Sequence, residues 1–458
     1  MFRPYRRLIY LSLLPVASAL LDAILETVCL GRGNFLYYLT GIPLLIDLLS
    51  YHNLANLAGY TSGDYATPVP LLCEVFFASH DSAGVEMATM VGKLDLGIAD
   101  RGNSLGYLRL SDRPFTCRDD PTLYEDGYCG IGIGMPNAQH SRIRPFLDEM
   151  LGTGEAVMPW GDSGNFWNLA SLKESARDFI AGRTTMVIGV DPGNFYLIEI
   201  HRRMLGIVLT EEEAGVLQEF MVDFLFNAVF LQLPIVTDSD GLRAQREGYI
   251  NMYVTAIESR VDSGFITTLN KADSLLAANG LLDAFIFAAI PSLTGMSSAI
   301  MGVYLHNLGD VNNQIDWNID SDLGAAIMEC VRVYPPVLGI PYIEGNTRFE
   351  SLVGYSGYDF GVFGADSHDF RVRMNVEQYR AILINWADKA IPVPGKPETS
   401  RVCPARSLSF NLLLAFLSEL DITSWMEGEG GLPTVQPSGS GPTFWGTVTN
   451  PDFNIQKI

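Results

Sequence analysis

The sequence predicts a mainly α-helical fold with small β-sheets, and three features support this expectation. The segment that begins at Thr210 has Glu213 three residues later and then a long apolar pattern, which is typical of a capped helix. Residues 269–309 form a very apolar stretch that is interrupted by Pro291 and Gly295. This stretch predicts a helix that is buried through the centre of a large domain and is disturbed at the interruption. Strand-like pieces such as CEVFFAS and TMVIGV are short and few.

Composition and charge exclude several classes of protein. The chain has 458 residues, of which 48% are hydrophobic and 18% charged, so it is neither disordered nor fibrous. The net charge of −22 argues against nucleic-acid binding, which needs a basic face. The same charge argues against attraction to an anionic membrane through a general charge field.

The N-terminal segment, residues 1–30, is compatible with two roles. It starts with the basic piece MFRPYRR and continues with an apolar run that stops at Asp22. This pattern indicates either a signal peptide or weak membrane anchor, or an amphipathic first helix. We expect a membrane-associated location, at the endoplasmic reticulum, or an organellar one rather than secretion, since the chain has no N-x-S/T sequon. Peripheral membrane association is compatible with either role.

The residues that indicate chemistry lie in the C-terminal third. The helix predicted for DLGAAIMECVRVYPP has Glu329 and Arg332 at i, i+3, so the two side chains share one face. An isolated pair of this kind at a surface would stabilise little. Its sequence context is more informative, because a Pro-Pro pair follows, then Arg380, and then Cys403 directly before an apolar helical run.

These motifs, in this order, resemble those of the cytochrome P450 superfamily. The resemblance implies the cytochrome P450 fold, with a single haem-thiolate domain over residues 31–458. It further implies that Glu329, Arg332 and Arg380 form a buried ion-pair triad that fixes the cysteine loop under the haem. Such a triad acts as a structural lock, because breaking a buried charge pair is strongly destabilising.

The same resemblance assigns the residues that hold haem b. Cys403 would be the axial ligand of the iron, as a thiolate favoured by the N-terminus of the following helix. Arg401, two residues earlier, would bind a haem propionate. In the helix predicted for MPNAQHSRIRPFLDEML, His140 and Arg144 stand at i, i+4 and would bind the propionates as well.

Departures from the superfamily pattern indicate one branch of it. Lys396 and Thr399 stand where the usual cysteine loop has Phe and Gly. The long segment that begins at Trp386 resembles the branch of allene oxide synthases, hydroperoxide lyases and divinyl ether synthases. This resemblance implies a polyunsaturated fatty acid hydroperoxide as the lipophilic substrate, and no requirement for dioxygen or for an obligatory reductase.

The central helix agrees with that branch in lacking an acid beside Thr294. Monooxygenases carry an acid–threonine pair there, which delivers protons during dioxygen cleavage. The resemblance implies homolysis of the hydroperoxide O–O bond, with an allene oxide, an epoxy alcohol or aldehydes as products. Ser292 is the first candidate for a polar contact at the reacting oxygen, and Thr294 is the second. Either hydroxyl could instead bond back to a carbonyl one turn earlier, and the sequence leaves this open.

A second function also stays open. A P450 monooxygenase would use dioxygen and an NADPH-dependent reductase on a lipophilic substrate or secondary metabolite. The face that docks a reductase is usually basic, and RVCPARS supplies only Arg401 and Arg406 in a very acidic chain. The sequence therefore favours the hydroperoxide enzyme.

Overall fold

The computed structural model describes residues 99–100, 137–152, 167–230, 239–306, 315–336, 340–344, 347–351, 355–364, 366–367, 369–385, 402–430, 434–435, 448–449 and 453–458. The expectations for residues 1–30, for Trp386 and for Arg401 lie outside the described residues. The same holds for the strand-like piece CEVFFAS and for the loop departures at Lys396 and Thr399.

Helices dominate the described part of the chain. They are α1 Asn137–Leu151, α2 Leu169–Ile180, α3 Asp191–Ile200, α4 Glu211–Phe230, α5 Ser239–Asp262, α6 Ser274–Ala284, α7 Ile290–Leu305, α8 Asp320–Val333, α9 Phe360–Phe363, α10 Val376–Ile382 and α11 Arg406–Leu420.

Local sequence signals explain several helix starts. Before α4, the backbone N–H of Thr210 donates to Glu213 Oε2 at 2.8 Å, and the N–H of Glu213 donates to Thr210 Oγ1 at 3.2 Å. This is the predicted capping box. A second capping box, between Asn375 and Gln378, starts α10. In α8, two acidic residues lie in the first turn and a basic residue in the last, an arrangement that the helix dipole favours.

The strands form small sheets, as expected, and all of their pairs in the described stretches are antiparallel. They are β1 Ala99–Asp100, β2 Thr185–Ile188, β3 Ile340–Glu344, β4 Thr347–Ser351, β5 Trp425–Glu427, β6 Thr434–Val435, β7 Val448–Thr449 and β8 Phe453–Lys457. One sheet has the order β1-β3-β4, another β2-β8-β5, and β6 pairs with β7. In the second sheet Met186 faces Ile455, and both side chains are buried.

The apolar stretch of the sequence forms the predicted central helix. It runs through α6, a π-helix over Phe285–Ala289, and α7. Pro291 lies in the first turn of α7, directly after the π-helix, so the expected disturbance occurs at this point. α7 packs against α3, α8 and α11. None of the helices in the described stretches is long and apolar enough to cross a membrane.

The packing around α8 brings the candidate motifs to one region. α8 carries Glu329 and Arg332 and packs against α7, α10 and α11. α11 is the helix that follows Cys403, and it also packs closely along α2. The fold therefore places the helix that follows the cysteine against the helix that carries the predicted ion pair.

Candidate functional site

Glu329 and Arg332 form a buried ion pair on α8. Arg332 donates from Nε to Glu329 Oε2 at 2.8 Å and from Nη2 to Glu329 Oε1 at 2.6 Å. Both side chains are 0% exposed. The guanidinium also donates to the carbonyl of Gly357 at 2.6 Å and to that of Asp369 at 3.2 Å. The pair thus ties α8 to the segment that follows it.

The second arginine shown on Glu329 is Arg373, which was not among the predicted residues. Arg373 Nη1 lies 2.5 Å from Glu329 Oε1, and its side chain is 12% exposed. The backbone N–H of Arg371 donates to the same oxygen at 3.0 Å. Arg380 lies on α10 with a half-buried side chain, and its predicted place in the triad stays a prediction. The structure adds Arg373 to the cluster, a residue that the sequence did not single out.

Tyr379 is a further member of this cluster, and the sequence analysis missed it. Its hydroxyl donates to Glu329 Oε2 at 2.6 Å and accepts the backbone N–H of Arg373 at 2.9 Å. Burial and the neighbouring carboxylate raise the pKa of Tyr379, so the hydroxyl stays a donor. The sequence did contain a signal for the position of Tyr379. The capping box of Asn375 and Gln378 indicates where α10 begins, and Tyr379 lies on the buried face of that helix.

Gly357 allows the chain to approach Arg332 closely. A Cβ atom at this position would lie 2.5 Å from the carbonyl oxygen of Arg332. A side chain at position 357 would therefore push the Gly357 carbonyl away from the guanidinium to which it is bonded.

Cys403 is in no disulfide and is partly exposed. It lies three residues before Arg406, where α11 begins. The positive end of the helix dipole favours a thiolate at such a position. By contrast, burial raises the pKa of Cys330, the other cysteine in the described stretches, well above its usual range. Cys403 is therefore the better nucleophile or metal ligand of the two.

Arg144 connects α1 to the cysteine segment. Its Nη1 donates to the backbone carbonyl of Val402, the residue before Cys403, at 2.7 Å. Its Nε donates to Asp148 Oδ1 at 2.9 Å, so the charge of this buried arginine is balanced within α1. His140 lies one turn earlier on α1 and is also buried. The structure thus brings Arg144 and the Cys403 segment together, while Arg401 lies outside the described residues.

The hydroxyl of Thr294 is used inside its own helix. Its Oγ1 donates to the carbonyl of Ile290 at 2.8 Å, with a longer contact of 3.3 Å to the carbonyl of Pro291. This is the back-bonded arrangement that the sequence left open for Thr294. Ser292 is half-buried on the same helix.

One face of the central helix carries small side chains that remain partly accessible. They are Ala284, Ala288, Ser292 and Gly295, which follow one another at spacings of three or four residues, and Ala289, Pro291 and Thr294 between them are partly accessible as well. Small residues at these positions let a broad flat group approach the helix.

These residues fit a haem-thiolate cofactor. Cys403 supplies a soft sulfur ligand of the kind that haem iron accepts from cysteine. Arg144 and His140 supply basic side chains on the helix bonded to the cysteine segment. The accessible small residues of the central helix suit the face of a porphyrin.

Comparisons with known proteins rest on structure alone, since no family model and no curated protein match the sequence. The chain is similar to an epothilone B-bound cytochrome P450epoK, with a TM-score of 0.52, 11% identity, and coverage of 81% of this chain and 89% of the other. It is also similar to cytochrome P450 CYP109Q5 from Chondromyces apiculatus, with a TM-score of 0.52, 13% identity, and coverage of 89% and 96%. A third structure, described among unusual cytochrome P450-like monooxygenases of microbial secondary metabolism, gives a TM-score of 0.51, 13% identity, and coverage of 81% and 91%.

The predicted fold is confirmed: the chain has the cytochrome P450 fold. This is the fold of haem-thiolate proteins, so the expected cofactor, haem b with an axial cysteine thiolate, is the one that the fold implies. The comparisons do not show the branch of hydroperoxide enzymes.

Proposed function

We propose that the chain is a haem-thiolate enzyme in which Cys403 ligates the iron of haem b. The observation that carries this proposal is the position of the Cys403 thiol, which is partly exposed before α11 and adjacent to a carbonyl bonded by buried Arg144. When bound, the haem supplies the redox chemistry that cleaves an O–O bond.

The chain's own residues would hold and orient the parts of this site. Arg144 fixes the backbone next to Cys403, and His140, Arg144 and Arg401 would bind the propionates. The cluster around Glu329 fixes the segment that leads toward the cysteine loop, since Arg332 and Arg373 both bind that carboxylate. A fixed loop keeps the sulfur in one position, as a first-shell ligand requires.

We propose monooxygenation of a lipophilic substrate as the reaction. It would use dioxygen and electrons from a separate reductase. Support comes from the solved structures that share the fold, one of which is described among monooxygenases. The partly accessible face of the central helix is made of small and weakly polar side chains, which suits an apolar substrate.

Rearrangement of a fatty acid hydroperoxide is the second candidate, and the geometry of Thr294 favours it. The hydroxyl of Thr294 donates to Ile290 within the helix, and the residues on either side of it, Leu293 and Gly295, carry no acid. A reaction that cleaves dioxygen needs delivered protons, whereas a substrate that already contains an O–O bond does not. Ser292 would then be the polar contact for the hydroperoxide oxygen.

Two assays on the same haem-loaded preparation separate these candidates. The first mixes the enzyme with linoleate hydroperoxide, without reductant, and follows loss of the conjugated-diene absorbance. The second supplies dioxygen, NADPH and a surrogate reductase with a panel of apolar substrates, and detects oxygenated products by mass spectrometry. Activity only in the second assay supports monooxygenation, and activity only in the first supports the hydroperoxide enzyme.

Cys403→Ala is the variant that should abolish either activity. If neither assay gives turnover although the preparation has a haem-thiolate spectrum, both candidate reactions are wrong. If the Cys403→Ala variant keeps the activity of the parent, the proposed role of the thiolate is wrong.

A further inference from the structure

A buried ion pair joins α5 to the central helix. Arg246 lies on the buried face of α5, between Leu242 and Ile250, and Asp283 lies near the end of α6. Arg246 Nη2 donates to Asp283 Oδ1 at 2.8 Å, and the two side chains are 11% and 1% exposed. The guanidinium also faces the ring of Phe224 on α4, with its central carbon 5.8 Å from the ring centroid.

Each member of this pair has one polar atom that the contact does not satisfy. Arg246 Nε and Asp283 Oδ2 are buried and have no hydrogen-bond partner within the described part of the chain. A pair that leaves a donor and an acceptor unsatisfied in an apolar interior is unfavourable, because each atom has lost its water without a replacement. Burial correspondingly raises the pKa of Asp283, although Arg246 opposes the shift.

The two unsatisfied atoms define the chemistry of a group that would complete the site. Nε can only donate, and an ionised carboxylate oxygen can only accept. One hydroxyl group satisfies both atoms, because its oxygen accepts a hydrogen bond from Arg246 Nε while its O–H donates a hydrogen bond to Asp283 Oδ2. A carboxylate cannot do so, since it has no proton for Asp283 and would be repelled by it.

The ion pair and the candidate functional site share the central helix. Asp283 precedes Ser292 by nine residues on the same central helix. At about 1.5 Å of rise per residue, this separation corresponds to roughly 13 Å along the helix. The π-helix Phe285–Ala289 lies between them and packs against α4. This separation sets the length that a ligand would need in order to reach both the pair and the residues around Ser292.

We propose that Arg246 and Asp283 bind a hydroxyl group of the substrate, remote from the reacting carbon. The proposal rests on the proposed function and narrows its substrate class to neutral, apolar molecules with an alcohol group. Both unsatisfied atoms are covered in this structure, so entry of the hydroxyl would require α5 and α6 to separate at this point. Binding then replaces two unsatisfied atoms with two hydrogen bonds, which favours the alcohol over an otherwise equal ligand.

Calorimetric titration of the haem-loaded full chain tests this with three matched probes: decanol, decyl methyl ether and decanoic acid. The ether can accept from Arg246 but has no proton for Asp283. We expect decanol to bind about tenfold more tightly than the ether, because the ether leaves a buried acceptor unsatisfied, and we expect the acid to bind most weakly.

The double variant Arg246→Met with Asp283→Leu provides the control. Apolar residues of similar volume usually replace a buried ion pair without loss of stability, so this variant should fold. It should bind decanol and the ether equally. Asp283→Asn, a smaller change, should also remove the preference, since its amide nitrogen donates where the carboxylate accepts.

Equal binding of decanol and the ether by the parent would overturn the proposal, because the O–H of decanol would then contribute nothing to binding. A preference that survives in the double variant would place the hydroxyl site elsewhere, and binding of none of the three probes would exclude an aliphatic alcohol. A preparation that binds decanol selectively but lacks a haem-thiolate spectrum would contradict the proposed function and leave the hydroxyl site intact.

Discussion

Arg144 Nη1 donates a hydrogen bond of 2.7 Å to the carbonyl oxygen of Val402. This bond joins two residues that are 258 positions apart in sequence. The guanidinium is nearly fully buried and is held on its other side by Asp148, one turn along α1. A charged donor fixed in this way forms a stronger hydrogen bond than a neutral one. The residue before Cys403 is thereby fixed to α1.

Replacing Arg144 with Gln should loosen the cysteine segment. The change removes the charged hydrogen bond to the partly buried Val402 carbonyl, which should lower the free energy of unfolding by about 1.5–3 kcal/mol. It should also speed haem loss to a scavenger such as apomyoglobin. Arg177→Gln is the control, because Arg177 is 65% exposed where it pairs with Glu419, and an exposed pair contributes less than about 1 kcal/mol. Equal haem retention in the two variants would contradict the role of Arg144.

The cluster around Glu329 allows a matched comparison of two arginines that are two residues apart. Arg373→Ala removes a guanidinium from a fully buried carboxylate and should destabilise the fold by about 3 kcal/mol. Arg371→Ala should cost less than about 1 kcal/mol, because its side chain is 57% exposed and its backbone N–H to Glu329 remains. Chemical denaturation of both variants measures the difference. Similar losses would show that Arg373 is not part of the lock.

His201 should make stability depend on pH. Burial lowers the pKa of His201 to about 4 from 6.5, and its ring contacts the carbonyl of Leu197 and the hydroxyl of Tyr253 at 2.7 Å each. The unfolded chain takes up a proton below pH 6.5 that the folded chain does not. The contribution of the neutral ring is therefore complete above about pH 6.5 and is lost as the pH falls toward 4, by about 2–3 kcal/mol.

The variant His201→Gln tests this, since Gln keeps two polar contacts but does not titrate. Between pH 7 and pH 4.5 it should lose about 2–3 kcal/mol less stability than the parent does. His306→Gln, at an exposed position, should behave as the parent. A pH profile of His201→Gln that follows the parent would mean that another group titrates over this range.

Much of the fold could be predicted because its signals are local. The capping box at Thr210 and Glu213, the apolar stretch around Pro291, and the short strand at TMVIGV each depend on neighbouring residues. The i, i+3 spacing of Glu329 and Arg332 placed both on one face of α8, and the fold then buried that face.

The contact of Arg373 with Glu329 could not be predicted because it is not local. The two residues are 44 positions apart, and only the folded chain brings the Arg373 guanidinium and the Arg371 N–H to this carboxylate. The bond from Arg144 to Val402 is similar, since no spacing within the sequence relates two segments so far apart. The unsatisfied atoms of Arg246 and Asp283 are also visible only after α5 and α6 pack together.

The central claim is that Cys403 ligates haem iron as a thiolate. The most direct test is the absorption spectrum of the reduced, carbon monoxide-treated protein after haem loading, for the parent and for Cys403→Ser, with circular dichroism to show that both are folded. The parent should give the red-shifted Soret band of a thiolate-ligated ferrous carbonyl, and Cys403→Ser should lose it. A parent that binds no haem, or a band that is unchanged in Cys403→Ser, would contradict the claim.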